Sequence, residues 1–332
     1  MRNNIVVAGY ADVDIIKTTE GFPQPHGLNT VKAINYALGG AACNCGLDLA
    51  KLDPNLTVRP LAVIGDDDNG AYIEKSLKVC PNIDLSLMQH RGQTAFTDVL
   101  DDEQTRVRAF LVYRGANKLF DLDTVDVDSL DTDLFHIGYI CLLDALDQRD
   151  DEYGSRMARL LCKLRKAGIM TSVDAITDAT GRHRYLMPAA MKYADIFCVN
   201  EHEAGAAYGE KLRRDDDTPD IDAMVRTVRK FREGGVAKWG IIHAPECAVG
   251  IDENDQIVEI PGVKLPEGYV QGTVGAGDAF VSGVLLGAKN GETLERAMRD
   301  GIAAAVTSLS RPGASEGVKP MAEARKILEG LV

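Results

Sequence analysis

The chain has 332 residues, 45% of them hydrophobic, so it can bury a full core as one large domain with an appendage or as two ordinary domains. Its 50 acidic residues outnumber 37 basic ones, and the net charge of −13 argues against general binding to nucleic acids or anionic membranes. The seven cysteines are scattered, which indicates reduced thiols. Acids interrupt the N-terminal apolar run and no long apolar stretch occurs, so we expect neither a signal peptide nor a membrane span. These features predict a cytoplasmic protein.

Short β-branched runs alternate with longer amphipathic stretches along most of the chain. The predicted strands are Ile5–Ala8, Val58–Ile64, Leu134–Ile137, Met170–Val173, Ile196–Val199 and Trp239–His243. The predicted helices that lie between some of them are Ala41–Leu52, Tyr153–Ala167 and Ile221–Gly234. This alternation predicts an α/β fold with a central, mostly parallel sheet that is covered by helices on both faces.

Two segments interrupt this rhythm, Asp12–Leu38 and Thr94–Ala116, where polar and apolar residues alternate. A polar turn at residues 101–104 predicts a hairpin in the second segment. We expect the two segments to pair into a small β-sheet that acts as a lid over a ligand cleft. The predicted division is a main domain of residues 1–11, 38–93 and 117–332, and a β lid of residues 12–37 and 94–116.

A glycine-rich stretch directly precedes a strongly apolar helical segment: Gly272-Thr273-Val274-Gly275-Ala276-Gly277-Asp278-Ala279-Phe280. Glycines at a helix start expose backbone N–H groups, and the helix dipole adds positive charge that suits a transferring phosphoryl group. Asp278 lies beside these amides, where its carboxylate can accept the proton of an attacking hydroxyl. The alternative is that Asp278 only caps the helix. No Lys-Ser/Thr pair follows the glycines, so the segment is not a P-loop.

Five further short motifs occur in order along the chain. They are Gly9-Tyr10-Ala11-Asp12-Val13-Asp14, Gly39-Gly40 with Asn44, Gly65-Asp66-Asp67-Asp68-Asn69-Gly70, Asn200-Glu201-His202-Glu203 and Arg311-Pro312-Gly313-Ala314. Together with GTVGAGDAF, which is similar to DTxGAGDxF, they span essentially the whole chain, and the series resembles the ribokinase-like (PfkB) carbohydrate kinases. The resemblance implies a three-layer αβα fold with a small β lid, and an ATP-dependent sugar kinase that uses Mg²⁺.

The resemblance also implies a role for each matching position. Asp278 is the general base, and the amides of Gly275, Ala276 and Gly277 form the anion hole. Thr273, Gly277 and Gly313 lie at the nucleotide, while Asn200 and Glu203 hold the magnesium–phosphate assembly, often through water. Asp14 and Asn44 bind sugar hydroxyls beside Gly39 and Gly40.

The residues themselves support an acceptor site at the N-terminal motifs. Asp12 and Asp14 are two apart beyond a strand, so in extended backbone they share one face, and carboxylates at strand ends lie where α/β folds bind ligands. The pair Gly39-Gly40 lets the backbone approach a polyol, and Asn44 offers both a donor and an acceptor. Alternatively, these residues are turn formers, and Asp12 in particular is a surface turn residue.

Other candidate positions also have structural alternatives. Asn200 and Glu203 fit a helix capping box, which is compatible with a role at the cleft. Phe96 and Arg108 in the lid segment are candidate substrate contacts. The alternating Arg106 and Arg108 fit better as edge-strand charges that discourage aggregation. An arginine that faced the cleft would favour a phosphorylated or acidic sugar.

Two positions depart from the family pattern. Gly272 replaces the usual Asp, which commonly helps to bind an activating monovalent cation, so activation by K⁺ is doubtful. The loop His243-Ala244-Pro245-Glu246-Cys247-Ala248-Val249-Gly250 lacks the usual Thr-x-Gly. Because Pro245 fixes φ and removes an N–H donor, the contacts to the nucleotide are expected to differ.

The leading hypothesis is therefore an ATP-dependent sugar kinase. A nucleoside kinase of the same fold is the nearest alternative, and it would need a flat slot for a base, for which Phe96, Phe110 and Tyr139 are candidates. A catalytically weakened sugar-binding or regulatory protein is the third hypothesis, motivated by Gly272 and Pro245. The partners expected are a small-molecule sugar, a nucleotide and a second copy that pairs through the lid.

Overall fold

An eight-stranded sheet forms the centre of the computed structural model, which describes residues 2–105, 107–177 and 180–331. Its strands, numbered in chain order, are β1 (Asn4–Gly9), β4 (Thr57–Leu61), β9 (Leu134–Ile140), β12 (Met170–Ala175), β13 (Ile196–Asn200), β14 (Trp239–Ala244), β15 (Cys247–Ile251) and β16 (Ile257–Pro261). The order across the sheet is β16-β15-β14-β13-β12-β9-β1-β4. The strands from β14 to β4 are parallel and β15 and β16 are antiparallel, which confirms the predicted, mostly parallel sheet.

Helices cover both faces of this sheet. They are α1 (Ala41–Leu52), α2 (Asp68–Leu77), α3 (Arg156–Lys166), α4 (His183–Met191), α5 (Glu201–Tyr208), α6 (Ile221–Glu233), α7 (Ala276–Lys289), α8 (Leu294–Ser308) and α9 (Met321–Glu329). In β1, Ile5 and Val7 pack into the apolar core shared with α1, α7, α8 and α9. Val6 and Ala8 point the other way, into the core shared with α3 to α6. Within the described ranges, no helix combines the length and the apolar character needed to cross a bilayer.

Caps decide where the helices begin. Helix α1 has the predicted bounds, and α6 ends one residue earlier than predicted. The helix predicted from Tyr153 begins only at Arg156, because the Ser155 hydroxyl accepts the amide of Ala158 at 3.1 Å and so caps it.

The strand predicted over Val58–Ile64 is divided into two. Strand β4 ends at Leu61, and Val63–Ile64 forms a separate short strand, β5, that leaves the main sheet and pairs with β6 (Gln89–His90). Pro60 lies in β4, which is the edge of the large sheet, and an edge strand tolerates a residue without an N–H donor.

A second, four-stranded sheet lies beside the main body. Its strands are β2 (Asp12–Thr19), β3 (Val31–Gly39), β7 (Ala95–Asp102) and β8 (Arg108–Tyr113), in the order β3-β2-β7-β8. The antiparallel pairing of β7 with β8 confirms the predicted hairpin; Arg106 at its turn lies outside the described residues. The remaining short elements are β10 (Arg149–Asp150), β11 (Gly154–Ser155) and 3₁₀ helices at Leu85–Leu87, Gly115–Leu119 and Leu122–Thr124.

Candidate active site

The turn before α7 packs closely against the loop at residues 311–315. Gly275, the N-cap of α7, has φ = 75°, and a Cβ there would lie 2.5 Å from the Cβ of Ala314. At Gly272 a Cβ would lie 2.7 Å from the carbonyl oxygen of Pro312. Both positions therefore require glycine, because a side chain would collide with the neighbouring loop.

Backbone N–H groups at this helix start are only partly used. The first helical bond runs from Ala279 N–H to Gly275 O at 2.9 Å, and Ala276 N–H makes a long 3.4 Å bond to Thr273 O. Within the described residues, the amides of Gly275 and Gly277 have no backbone acceptor. Two of the three predicted anion-binding amides are therefore available, and that of Ala276 is partly engaged.

Asp278 lies in the first turn of α7 with its carboxylate held from two sides. Its side chain accepts the Asn44 amide at 2.9 Å and the Tyr139 hydroxyl at 3.0 Å. Burial raises the pKa of this carboxyl, and the hydrogen bonds from Asn44 and Tyr139 oppose the rise because they favour the charged form. Gly275, not Asp278, occupies the N-cap, so the capping alternative is wrong.

A cavity of about 230 Å³ lies between the start of α7 and the C-terminal ends of the parallel strands, where α/β folds bind ligands. It is lined by Tyr139, Asp174, Ala175, Ile176, Thr177, Cys198, Asn200, Glu203, His243, Gly275, Gly277, Asp278 and Val281. The structure thus brings together five residues that the sequence pattern selected: Asn200, Glu203, Gly275, Gly277 and Asp278.

Asn200 and Glu203 form the capping box of α5. The Asn200 side chain accepts Glu203 N–H at 2.9 Å, and Glu203 Oε2 accepts Asn200 N–H at 3.0 Å. The hydroxyl of Thr177 donates to the same carboxylate at 3.3 Å. Burial raises the pKa of Glu203 to about 8. The capping box therefore holds the Glu203 carboxylate at the cavity wall, so capping the helix and serving the cleft are compatible roles.

A second group of predicted residues gathers at the root of the small sheet. A Cβ on Gly39 would lie 2.3 Å from Asp12 Oδ1 and 3.4 Å from Asp14 Oδ1, so both carboxylates flank this glycine. Asp12 is 4% exposed and accepts the Thr97 hydroxyl at 2.7 Å, so its interpretation as a surface turn residue is wrong. Burial raises the pKa of Asp12 to about 6 and that of Asp14 to about 7.

Gly40 and Asn44 connect this group to Asp278. Gly40 has φ = 88°, and a Cβ there would lie 2.2 Å from the carbonyl oxygen of Tyr10. One turn further along α1, Asn44 donates to Asp278 while its own Oδ1 is buried without a partner among the described residues. Asn44 therefore presents an unused acceptor beside the candidate base.

The two lid residues predicted to contact substrate lie differently. Phe96 pairs with Val13 in the register, so it lies on the sheet face opposite Asp12, Asp14 and Thr97, and its ring packs on Tyr113 at 5.3 Å. Phe96 therefore lies away from the acceptor carboxylates, and its contact with substrate stays a prediction.

Arg108 shares the face of Asp14, where its charge counters the rise in the pKa of that carboxyl. Its guanidinium is exposed and pairs with Asp101 at 3.2 Å. Two predicted nucleotide residues also lie away from the cavity lining: Thr273 is exposed in the turn before α7, and Gly313 lies against the Glu316 side chain.

Three residues of the cavity were missed or misread from sequence. Asp174 is the second-to-last residue of β12 and directly follows the predicted strand Met170–Val173. A carboxylate just after a predicted strand is the signal that selected Asp14, so Asp174 was detectable. Tyr139 was considered only as a base platform, but its hydroxyl is committed to Asp278. His243 lies within 4.8 Å of the Phe280 ring, and burial lowers its pKa to about 4. Nothing in the sequence indicated the contact of Tyr139 with Asp278 or that of His243 with Phe280.

Comparison with known proteins identifies the family of the chain. The model of the pfkB family carbohydrate kinases matches residues 2–321. A nucleoside kinase of Methanocaldococcus jannaschii is 23% identical over 297 residues, which are 88% of this chain and 85% of that protein. An ATP-dependent ribose-1-phosphate kinase of Halopiger xanaduensis is 24% identical over 313 residues, 93% of each chain.

Solved structures of other kinases share the fold. The ribokinase of Arabidopsis thaliana, solved with ribose and ATP, superposes with a TM-score of 0.79 at 19% identity and covers 99% of both chains. At this identity the likeness shows the fold alone. Because the family model spans nearly the whole sequence, the chain belongs to the pfkB family of carbohydrate kinases, and it is a ribokinase-like phosphotransferase with an alcohol group as acceptor.

Proposed function

We propose that the protein transfers the γ-phosphoryl group of ATP to a hydroxyl of a sugar, with Asp278 as the general base. One observation carries this proposal: the Asp278 carboxylate shares a cavity with the free amide of Gly277 at the start of α7. A carboxylate placed there can take the proton of the acceptor hydroxyl, while the amides and the helix dipole stabilise the negative charge of the transferring group. The ribokinase solved with ribose and ATP has this fold.

In this proposal the acceptor binds between the small sheet and α1. Asp12 and Asp14 accept bonds from sugar hydroxyls beside Gly39 and Gly40, and the unpartnered Oδ1 of Asn44 accepts another. The small sheet (residues 12–37 and 94–116) acts as the lid. Closing it over the acceptor excludes water, which would otherwise compete for the phosphoryl group.

Magnesium fits the other side of the cavity. Glu203 is a buried carboxylate at this wall of the cavity, and burial raises its pKa to about 8, a cost that a divalent cation would relieve. Asn200 and Glu203 offer the oxygen ligands that Mg²⁺ prefers, in part through water. When bound, Mg²⁺ supplies positive charge that neutralises the phosphates of ATP.

The test begins with a panel of ribose, fructose, a keto-deoxy sugar acid and adenosine as acceptors, with coupled detection of ADP. On the best acceptor, Asp278→Asn should lower kcat by about 10²–10⁴-fold, the usual contribution of a general base, with little change in acceptor binding. Asp215→Asn, in a fully exposed loop, serves as the charge-matched control. Undiminished ADP production by Asp278→Asn would exclude Asp278 as the base.

A nucleoside acceptor is the second candidate function. The nucleoside kinase of M. jannaschii is among the relatives, and Phe110 lies on the same face of the small sheet as Asp14 while remaining 61% exposed. An exposed ring on that face would suit stacking against a base. If a nucleoside is the acceptor, Phe110→Ala should raise its KM, whereas the KM for a free sugar would hardly change.

A further inference from the structure

Three buried side chains from three elements converge beneath the cavity: Cys45 of α1, His136 of β9 and Asp174 of β12. The thiol sulfur, an imidazole nitrogen and a carboxylate oxygen all lie within 4.8 Å of one another. The proposed phosphoryl transfer uses none of the three as a reacting group. Asp174 also lines the cavity, so the cluster can be reached from the ligand cleft.

His136 has a nitrogen that no part of the described structure satisfies. Its Nδ1 is paired with the Ser172 hydroxyl at 3.1 Å, and its Nε2 is fully buried without a hydrogen-bond partner. The nearest carboxylate oxygen, Oδ2 of Asp174, is 3.7 Å away, which is too long for a hydrogen bond. Buried polar atoms are normally paired, so an unpaired nitrogen directed at a thiol and a carboxylate requires an explanation.

The donor set points to a particular ion. A thiolate, an imidazole and a carboxylate are the ligands that Zn²⁺ takes, and a ligating imidazole usually has its second nitrogen fixed by another group, as Ser172 fixes His136. Tetrahedral zinc places its ligands about 3.3–3.8 Å apart, so the cluster has to contract by only about 1 Å. We propose that Cys45, His136 and Asp174 form a zinc site with one open position, separate from the magnesium position at Asn200 and Glu203.

Occupation of this site would affect the candidate base. The Cys45 sulfur lies 3.9 Å from Asp278 Oδ1, so an ion bound by this cluster would lie close to the carboxylate of Asp278. On binding, the Cys45 thiol forms a sulfur–zinc bond and releases its proton to solvent. A zinc ion that also engages Asp278 removes its capacity to accept a proton, so zinc inhibits the kinase; this consequence, unlike the binding itself, rests on the proposed function.

Metal binding is measured on the purified full chain without substrates and with excess Mg²⁺, which fills sites built only from oxygen. Co²⁺ is the probe, because a thiolate ligand gives it a strong near-ultraviolet absorption band. We expect one Co²⁺ per chain with this band, displaced by one equivalent of Zn²⁺. Cys45→Ser should abolish the band, and His136→Gln should weaken zinc binding by more than about 100-fold, since even a lost outer partner costs 10–100-fold.

Cys198→Ser is the matched control, because Cys198 is also buried and lines the cavity but is not part of the cluster. It should keep both the band and the affinity. Thermal melting verifies that each variant is folded. If Cys45→Ser does not fold, His136→Gln still tests the zinc site. A band that survives in Cys45→Ser, or binding no tighter than that of Mg²⁺, would overturn the zinc site. Full kinase activity of the zinc-loaded protein would overturn only its inhibitory role.

Discussion

At the scale of single residues, Tyr139 is the least expected contributor to the candidate site. Its hydroxyl donates to both oxygens of Asp278, at 3.0 and 3.1 Å. Such a bond favours the charged carboxylate and therefore holds its pKa down against the effect of burial. Tyr139→Phe should raise the pKa of Asp278. Because the base acts only when deprotonated, the acidic limb of the kcat–pH profile should move to higher pH.

Tyr10→Phe is the control for this prediction. The two rings are neighbours, with centroids 6.5 Å apart, but the Tyr10 hydroxyl is not bonded to Asp278 in the described structure. Its acidic limb should match that of the unmodified enzyme. An acidic limb that stays in place in Tyr139→Phe would show that the tyrosine does not tune the base.

Gly272 explains why a potassium requirement is not expected. The carbonyl of Pro312 fills the space that a side chain at this position would need, so an acidic side chain has no room here. ADP production should therefore proceed at the same rate in K⁺ and in a buffer without alkali metals. Gly272→Asp should fail to create K⁺ activation and should lower the free energy of unfolding by about 1–3 kcal/mol through overpacking. A several-fold rate increase with K⁺ would contradict this.

At the scale of elements, one carboxylate joins α2 to the small sheet. Asp67 caps α2 through Gly70 N–H at 2.9 Å and accepts Thr94 N–H, just before β7, at 2.8 Å. Partial burial works to raise the pKa of Asp67, but the bonds from Thr94 and Gly70 outweigh it and lower the pKa below 3.8. Asp67→Ala should cost about 1–2 kcal/mol of unfolding free energy at neutral pH, the usual loss of a helix cap.

The pH dependence of this cost follows from the lowered pKa. The stability supplied by Asp67 is fully present above pH 3.8 and is lost as pH falls through its value in the folded protein. Urea unfolding at pH 7 and near pH 3 measures this. The difference in unfolding free energy between the unmodified protein and Asp67→Ala should be smaller near pH 3. Asp68→Ala, at the next residue, removes an acid but no cap and should cost only a few tenths of a kcal/mol. Equal costs at both pH values would refute the explanation.

Strands were predicted correctly where polar and apolar residues alternate regularly. The sequence did not predict which side chains face the ligand, because that depends on the register between strands. The alternation of residues 94–116 predicted β7 and β8 correctly, since adjacent side chains of a strand point to opposite faces. The pattern could not tell which face meets the ligand. Phe96 pairs with Val13, whose side chain lies on the sheet face opposite Asp12 and Asp14. Only this pairing decided that the phenyl ring lies away from Asp14.

At the scale of the whole molecule, one face of the small sheet carries a group of exposed apolar side chains. On the face opposite Asp14, the exposed residues are Val31, Ile34, Tyr36 and Leu111. Patches of this kind mark interaction sites, and we expect a second copy to cover this one. Sedimentation should show a dimer that Leu111→Glu converts to monomers. Val79→Glu, at a residue that is even more exposed but lies outside the small sheet, should leave the dimer intact. A monomeric unmodified protein would reject the interface.

The sequence by itself determined the fold class, the family and most of the residues around the α7 turn, because strand–helix alternation and glycine-rich turns are local properties of the chain. Tertiary structure alone decided the rest. Asn44, Tyr139 and Asp278 come from distant segments, and only the packing of α1 and α7 on the sheet makes them partners. The approach of Pro312 to Gly272 and the convergence of Cys45, His136 and Asp174 are likewise contacts between segments, which no local pattern encodes.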